Sequence, residues 1–206
     1  NALRRAEISI EESERHYRAL FEDSPIPLWE EDFSATKDKI DLLKASGVTD
    51  FEQYFADNPQ KIVEFSRLVK ITDVNKAVLE QHESNSKEEL LAGLETIFTE
   101  SSYLSFKNEL LAIAHGRTEV EFDGTAKTLK GNELVINLKW TVVPGYEKTL
   151  KKVYVSTIDI SQRKRAEEMV LQASRMEVTA TLAAGVAHDF NNLMVGVLGN
   201  ADLLRL

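Results

Sequence analysis

One histidine in this chain of 206 residues has neighbours suited to nucleophilic chemistry. His188 is followed by Asp189, Phe190, Asn191 and Asn192 and preceded by Ala184 and Gly185. Residues three and four apart share one face of a helix. On that spacing the small Ala184 and Gly185 leave room for a bulky group to approach the imidazole. The amides of Asn191 and Asn192 put hydrogen-bonding groups on the same face. Asp189 is placed to accept a proton from one ring nitrogen, which leaves the other basic and facing outward. A nucleophilic histidine on a helical bundle needs this arrangement.

The element that positions it is legible as well. Apolar residues recur at alternating steps of three and four through Ala166, Met169, Ala173, Met176, Ala180, Ala183, Ala187, Phe190, Met194, Val197, Ala201 and Leu204, with no proline between them. This rhythm predicts one long helix with a seam for a partner helix. His188 lies one residue past the seam and flanks it. Gly185, Gly196 and Gly199 interrupt the pattern. Each costs roughly 1 kcal/mol relative to alanine in a helix interior, so a purely structural coiled coil would gain by losing them.

Simpler readings exist. A His-Asp pair on a helix is commonly just solvated, and the heptads alone say only that the helix dimerises. A metal-dependent phosphohydrolase also uses His-Asp but needs further ligands, and His16, His82 and His115 show no ligand spacing.

The run Gly185-Val186-Ala187-His188-Asp189-Phe190-Asn191-Asn192-Leu193 closely resembles the phosphoacceptor box of sensor histidine kinases with a His-Asp-Phe-Asn-Asn core. The flanks Met176-Glu177, Leu182-Ala183 and Gly199-Asn200-Ala201-Asp202-Leu203-Leu204 fit the same pattern. The resemblance implies that His188 accepts the γ-phosphate of ATP and passes it to an aspartate of a response-regulator receiver domain. It makes Asp189 the acidic residue that orients and activates His188. It gives Asn192 a part in placing water when the regulator is dephosphorylated. It also implies a homodimer, with ATP and Mg²⁺ held by a separate catalytic domain. Residues 1–206 show no glycine-rich nucleotide lid, so this chain alone is expected not to autophosphorylate.

Composition sets the outer limits. The 206 residues suffice for one ordinary domain plus extra helices, and 43% hydrophobic residues can build its core. A formal net charge of −9 argues against nonspecific nucleic-acid binding. The absence of cysteine removes disulfides, thiolate metal sites and any flavin–cysteinyl adduct. No apolar run approaches the ~20 residues of a membrane span. A cytoplasmic setting is expected, with any membrane anchor supplied by other segments. The first residue is not methionine and the heptads run to the last one, so the chain reads as a piece of a longer protein.

Residues 1–20 carry a second heptad series, Leu3, Ala6, Ile10, Ser13, Tyr17 and Leu20, with a charged outer face, and read as a signalling helix that stops before Ser24-Pro25-Ile26-Pro27. A strand is expected over 26–33, with Leu28 and Trp29 as anchors. Helices follow over 35–67, with a capping box at Thr49 and Glu52. A strand over 68–74, a helix over 75–82, a start capped by Ser86 and Glu89, and an amphipathic helix over 102–115 come next. Three strands over 119–127, 133–143 and 150–159 close the pattern. Leu134, Ile136, Leu138, Trp140 and Val142 fall on one face of the second. This is an α+β order: an antiparallel sheet with flanking helices.

That order resembles a PAS sensor domain. Tyr17–Pro27, Asp73-Val74-Asn75-Lys76-Ala77 and Asp159-Ile160-Ser161-Gln162-Arg163-Lys164 are similar to its opening segment, its strand-to-helix step and its exit motif. The resemblance implies a PAS domain over 21–160 with a helical insertion at about 35–67. A linker and the first phosphoacceptor helix then occupy 161–206. Asp159 or Ser161 caps the outgoing helix and couples sensing to His188. The PAS ligand, if there is one, cannot be read from apolar strand faces that form a core in any case. The alternative function is a PAS-containing dimerising scaffold, or a sensor feeding a different output enzyme.

Overall fold

The computed structural model describes the backbone of residues 2–203, and the side chains of residues 4, 11–179, 182, 183, 185, 186, 190 and 194. The described residues form two compact units, 1–161 and 162–206. The first unit opens with helix α1 (Ala2–Glu22) and strand β1 (Leu28–Asp32). Helices α2 (Ser34–Ala45), α3 (Phe51–Asp57) and α4 (Pro59–Ser66) precede strand β2 (Lys70–Val74). Helices α5 (Lys76–Gln81), α6 (Lys87–Leu91) and α7 (Glu100–Ala114) lead to strands β3 (Glu119–Lys127), β4 (Glu133–Val142) and β5 (Val153–Asp159). Helix α8 (Ser161–Leu203) then runs 43 residues into the second unit.

The five strands form one sheet in the order β2-β1-β5-β4-β3, every neighbouring pair antiparallel. β1 lies inside the sheet, although it comes first in the chain. Trp29 pairs with Val155 and Glu31 with Val153. The expected fold class, an antiparallel sheet with flanking helices, is the one found.

The region 35–67, expected to be helical, holds three helices, and they are part of the core. Helices α2, α3 and α4 pack on α7, which lies on β3. Ile40, Phe51, Phe55, Ile62 and Phe65 join Trp29, Phe106 and Trp140 in one buried cluster. Each such side chain contributes about 1.5–3 kcal/mol by leaving water. The rings meet edge to face where Phe55 meets Phe65 and Phe33 meets Trp140, 5.7 and 5.6 Å between centroids.

Two caps differ from expectation. α3 is capped by Asp50, which accepts the Gln53 N–H at 2.9 Å, and not by Thr49. The carboxylate one residue later reaches the third amide of the helix by the same geometry. At α6 the Ser86 hydroxyl makes no cap bond; Glu89 instead accepts from Ser84 Oγ at 2.8 Å and from the Asn85 N–H at 2.9 Å. A reciprocal box forms where none was expected, between Thr99 and Ser102 at the start of α7. Pro59 occupies the first turn of α4, where its missing N–H costs nothing.

Helix α1 is tied to the sheet at its C-terminal end. The Tyr17 hydroxyl meets Glu30 and Tyr154, and Lys152 pairs with Glu30 at 2.9 Å. Lys87 of α6 bridges Glu22 of α1 and Asp73 of β2.

Candidate functional site

Alternation along β1 buries Trp29 and Glu31 and leaves their neighbours half-exposed. A carboxyl therefore occupies a slot on the core face of the sheet. Helix α7 does the same thing from the opposite side: Phe106, Glu109, Leu110 and Ile113 share its buried face. Glu31 is 3% exposed and Glu109 4%. Both line a cavity of about 50 Å³ between the sheet and α7, with Trp29, Phe106 and Phe122 among its aromatic walls.

Burial pushes the Glu31 carboxyl up to about 8. It raises Glu109 well above the usual carboxylate range, and the nearby charge of Glu31 raises it further. Neither effect is offset by a hydrogen bond or a cation, so the cavity favours the neutral acids.

His82 follows α5, is 1% exposed, and forms another wall of the same cavity. Its Nδ1 lies 3.0 Å from the carbonyl of Lys127. A carbonyl only accepts, so Nδ1 carries the proton. Burial lowers the ring's affinity for a second proton, and the Lys127 bond opposes this more weakly. The neutral ring then presents Nε2 as a lone-pair acceptor, and Nε2 has no partner. Trp29 meets the His82 ring edge to face at 5.2 Å, and its Nε1 donates to Thr157 Oγ1 at 3.3 Å. Thr157 in turn donates to Gln81 Oε1 at 2.7 Å, fixing β5 against the end of α5.

Sequence reasoning missed these three titratable residues and set His82 aside for lack of ligand spacing. Two signals were present. Glu31 stands two residues from Trp29 on a strand, and Glu109 stands three from Phe106 on a helix. Period alone places both carboxyls on apolar faces.

Asp159 and Ser161 lie at the exit of the sheet. Asp159 Oδ1 accepts the Ser161 N–H at 2.8 Å, so the aspartate closes the turn into α8. The Ser161 hydroxyl does not cap; it turns back and accepts the Val135 N–H at 2.9 Å. The Ile160 N–H donates to the Val135 carbonyl at 2.8 Å. Two hydrogen bonds thus fasten the root of α8 to the start of β4. Cavity walls Ile136 and Leu138 follow directly on that strand.

Helix α8 spans the stretch of the His-Asp-Phe-Asn-Asn run without a break. The side chains of His188, Asp189 and Asn192 lie outside the described residues. Around them, Met169, Met176, Phe190 and Met194 of the expected seam are exposed, Phe190 by 62%. A Cβ added at Gly185 would meet nothing within 4 Å. Among the described residues no helix is long and apolar enough to cross a membrane, and no group of three or more His, Cys, Asp or Glu is placed to hold a metal ion.

No family model matches the chain. It is 28% identical over 115 residues to the sensor kinase CckA of Brucella abortus, an alignment covering 54% of this chain and 12% of that protein. It is 36% identical over 53 residues to sporulation kinase A of Bacillus subtilis, covering 26% of this chain and 9% of that protein. The chain therefore spans about a tenth of the length of the curated relatives it matches. Among solved structures, an RNA-binding light-oxygen-voltage receptor superposes with a TM-score of 0.53 at 12% identity, covering 78% of this chain and 37% of that one. The fold of residues 1–161 is that of a PAS domain, and the two curated relatives are a sensor kinase and a sporulation kinase.

Proposed function

We propose that the chain is the sensing and phosphate-accepting part of a two-component sensor histidine kinase. The observation that carries this reading is the nine-residue box from Gly185 to Leu193 on a helix continuous with the hydrogen-bonded exit of the sheet. In this reading one imidazole nitrogen of His188 attacks the γ-phosphorus of ATP. An N–P bond forms, the bond to the β,γ-bridging oxygen breaks, and ADP leaves. Asp189 holds the other ring nitrogen by accepting its N–H, which steadies the positive charge that develops. The phosphoryl group then moves to an aspartate of a response regulator. Asn192 positions water in the reverse, dephosphorylating reaction. ATP and Mg²⁺ belong to a catalytic domain, and no residue of 1–206 is assigned to them. The exposed seam of Met169, Met176, Phe190 and Met194 pairs with that of a second copy. Such a protein works in the cytoplasm, where ATP is.

The test is labelling of the full-length protein with [γ-³²P]ATP beside a His188→Gln variant. Acid-labile label is expected on the first and none on the second. Label that persists in the variant overturns the assignment.

Signal transfer needs two states to which the signal binds unequally. The bonds joining Val135 to Ile160 and Ser161 are where a shift of β4 reaches the root of α8. A chain carrying both Asp159→Ala and Ser161→Ala is expected to keep its fold and its basal labelling. Its response to signal should drop by about 5- to 150-fold, as when a coupling of 1–3 kcal/mol is lost. An undiminished response in that variant removes these residues from the path.

A further inference from the structure

The wall of the PAS cavity is unusual in what it offers a guest. Glu31, from β1, and Glu109, from α7, bring carboxyl oxygens with no hydrogen-bonded partner among the described residues. His82, at the end of α5, brings the lone pair of Nε2. The wall holds no lysine or arginine, and β3, β4 and β5 add no titratable group to it. Its remaining surface is largely apolar and aromatic, with Trp29, Phe98, Phe106 and Phe122.

We infer that this cavity binds a small organic cation, an alkylammonium, whose N–H groups meet Glu31, Glu109 and Nε2 of His82 and whose carbon end lies against the aromatic walls. The inference rests on the reading of this unit as a sensor and supplies the class of its ligand. Two buried carboxyls and a bare imidazole nitrogen, with no lysine or arginine beside them, favour a guest that brings positive charge and N–H donors. Carboxylates and ring faces attract the same charge. The space, about 50 Å³, holds three or four groups of water size at about 10–15 Å³ each, which fits ethylammonium.

The charge balance of binding follows from the same residues. Without a guest, burial keeps the acids protonated. As the cation enters, one carboxyl gives its proton to solvent and takes up an ion pair with the ammonium. Binding therefore releases a proton, and affinity rises with pH until that carboxyl ionises unaided, near pH 8 for Glu31.

Isothermal titration of residues 1–206 with methyl-, ethyl- and propylammonium chloride tests this, with sodium chloride, ethanol and sodium propionate as matched controls. Saturable heat is expected for at least one ammonium and for none of the controls. The heat should vary with the ionisation enthalpy of the buffer, reporting proton release. Glu31→Gln and Glu109→Gln should each weaken binding by about 30-fold or more, as when one partner of a buried charge pair is removed. Circular dichroism establishes that those variants fold. Should one fail to, the ¹⁵N shift of His82 Nε2 in the unaltered chain serves instead, and it is expected to move only with the ammonium salts. Equal binding by ethanol or propionate, glutamine variants that bind undiminished, or no saturable response to any ammonium salt overturns the inference. Ammonium binding that leaves labelling of the full-length kinase unchanged supports the inference and overturns the sensor reading. A kinase that answers its signal while its PAS unit ignores every ammonium salt overturns the inference alone.

Discussion

Without ligand, the PAS unit loses stability steadily as pH rises from about 5 to about 8, and a Glu31→Gln, Glu109→Gln chain does not. The sign follows from proton binding. Glu31 has its midpoint at about 8 in the folded protein against 4.5 for the ordinary carboxyl. Between those values the folded state holds a proton that the unfolded state has released. Stability contributed by the neutral acid is complete below 4.5, falls through the interval, and is gone above 8. Each pH unit within the interval is worth about 1.4 kcal/mol. Water entry and relaxation around the buried charge reduce the total to roughly 2–5 kcal/mol. Glu109 shifts in the same direction and adds to the slope. Surface carboxyls held low by hydrogen bonds, such as Glu83 and Glu89, act only in more acidic solution, where protonation removes their contribution. Urea unfolding at pH 5, 6.5 and 8, followed by tryptophan fluorescence, gives the measurement. Both tryptophans, Trp29 and Trp140, are buried in the PAS unit and report on it alone. Parallel profiles for the two chains would mean that the acids do not titrate as their burial dictates.

Strands and helices whose faces are uniformly apolar are legible from the order of residues alone. β3 begins and ends where alternation placed it, and β4 differs by one residue. Turn glycines are set by the backbone itself: Gly131 and Gly145 sit at φ +88 and +91, where a side chain is strained. Caps were less legible. Thr49 and Asp50 are adjacent and both are good caps, and only the path of the chain into α3 selects Asp50. The cavity was the least legible part, for a physical reason. A glutamate in an amphipathic pattern reads as the solvent side, so neither Glu31 nor Glu109 stood out in the sequence. What buries them is the packing of α7 on the sheet, which brings together residues 78 apart in the chain. Period puts each carboxyl on an apolar face, but no local pattern says that the two faces meet. The chemistry of the His188 box, in contrast, was legible only as sequence, since the side chains of His188, Asp189 and Asn192 lie outside the described residues.

Asn75→Ala is expected to cost roughly 3–5 kcal/mol, among the largest losses from any single substitution in the PAS unit. The side chain is fully buried and uses both ends. Its Oδ1 accepts the Leu28 N–H at 3.0 Å and the Val78 N–H at 3.1 Å, starting β1 and capping α5. Its Nδ2 donates to the carbonyls of Ile26 at 2.8 Å and Phe21 at 3.1 Å, which brings the end of α1 and the linker under the same clamp. Alanine removes a cap worth about 1 kcal/mol and strands several buried backbone groups at about 1–3 kcal/mol each, less whatever water can reach. Asn75→Asp separates these contributions. It keeps the acceptor for Leu28 and Val78, but turns a second carboxylate oxygen toward the carbonyls of Phe21 and Ile26, where only a donor fits. Near neutral pH it should be at least as damaging as alanine, and it should recover in acid as the carboxyl regains a proton to donate. Urea midpoints at pH 5 and 7.5 distinguish the two variants. Hydrogen exchange at the Leu28 amide should accelerate in the alanine variant and much less in the aspartate one. An alanine variant within about 1 kcal/mol of the unaltered chain would mean that α1 is held by Phe21 packing and by the Lys87 ion pairs instead. The clamp matters for function because this single side chain bonds α1, β1 and α5 at once. It does so at the point where α1 leads into the strand carrying Glu31.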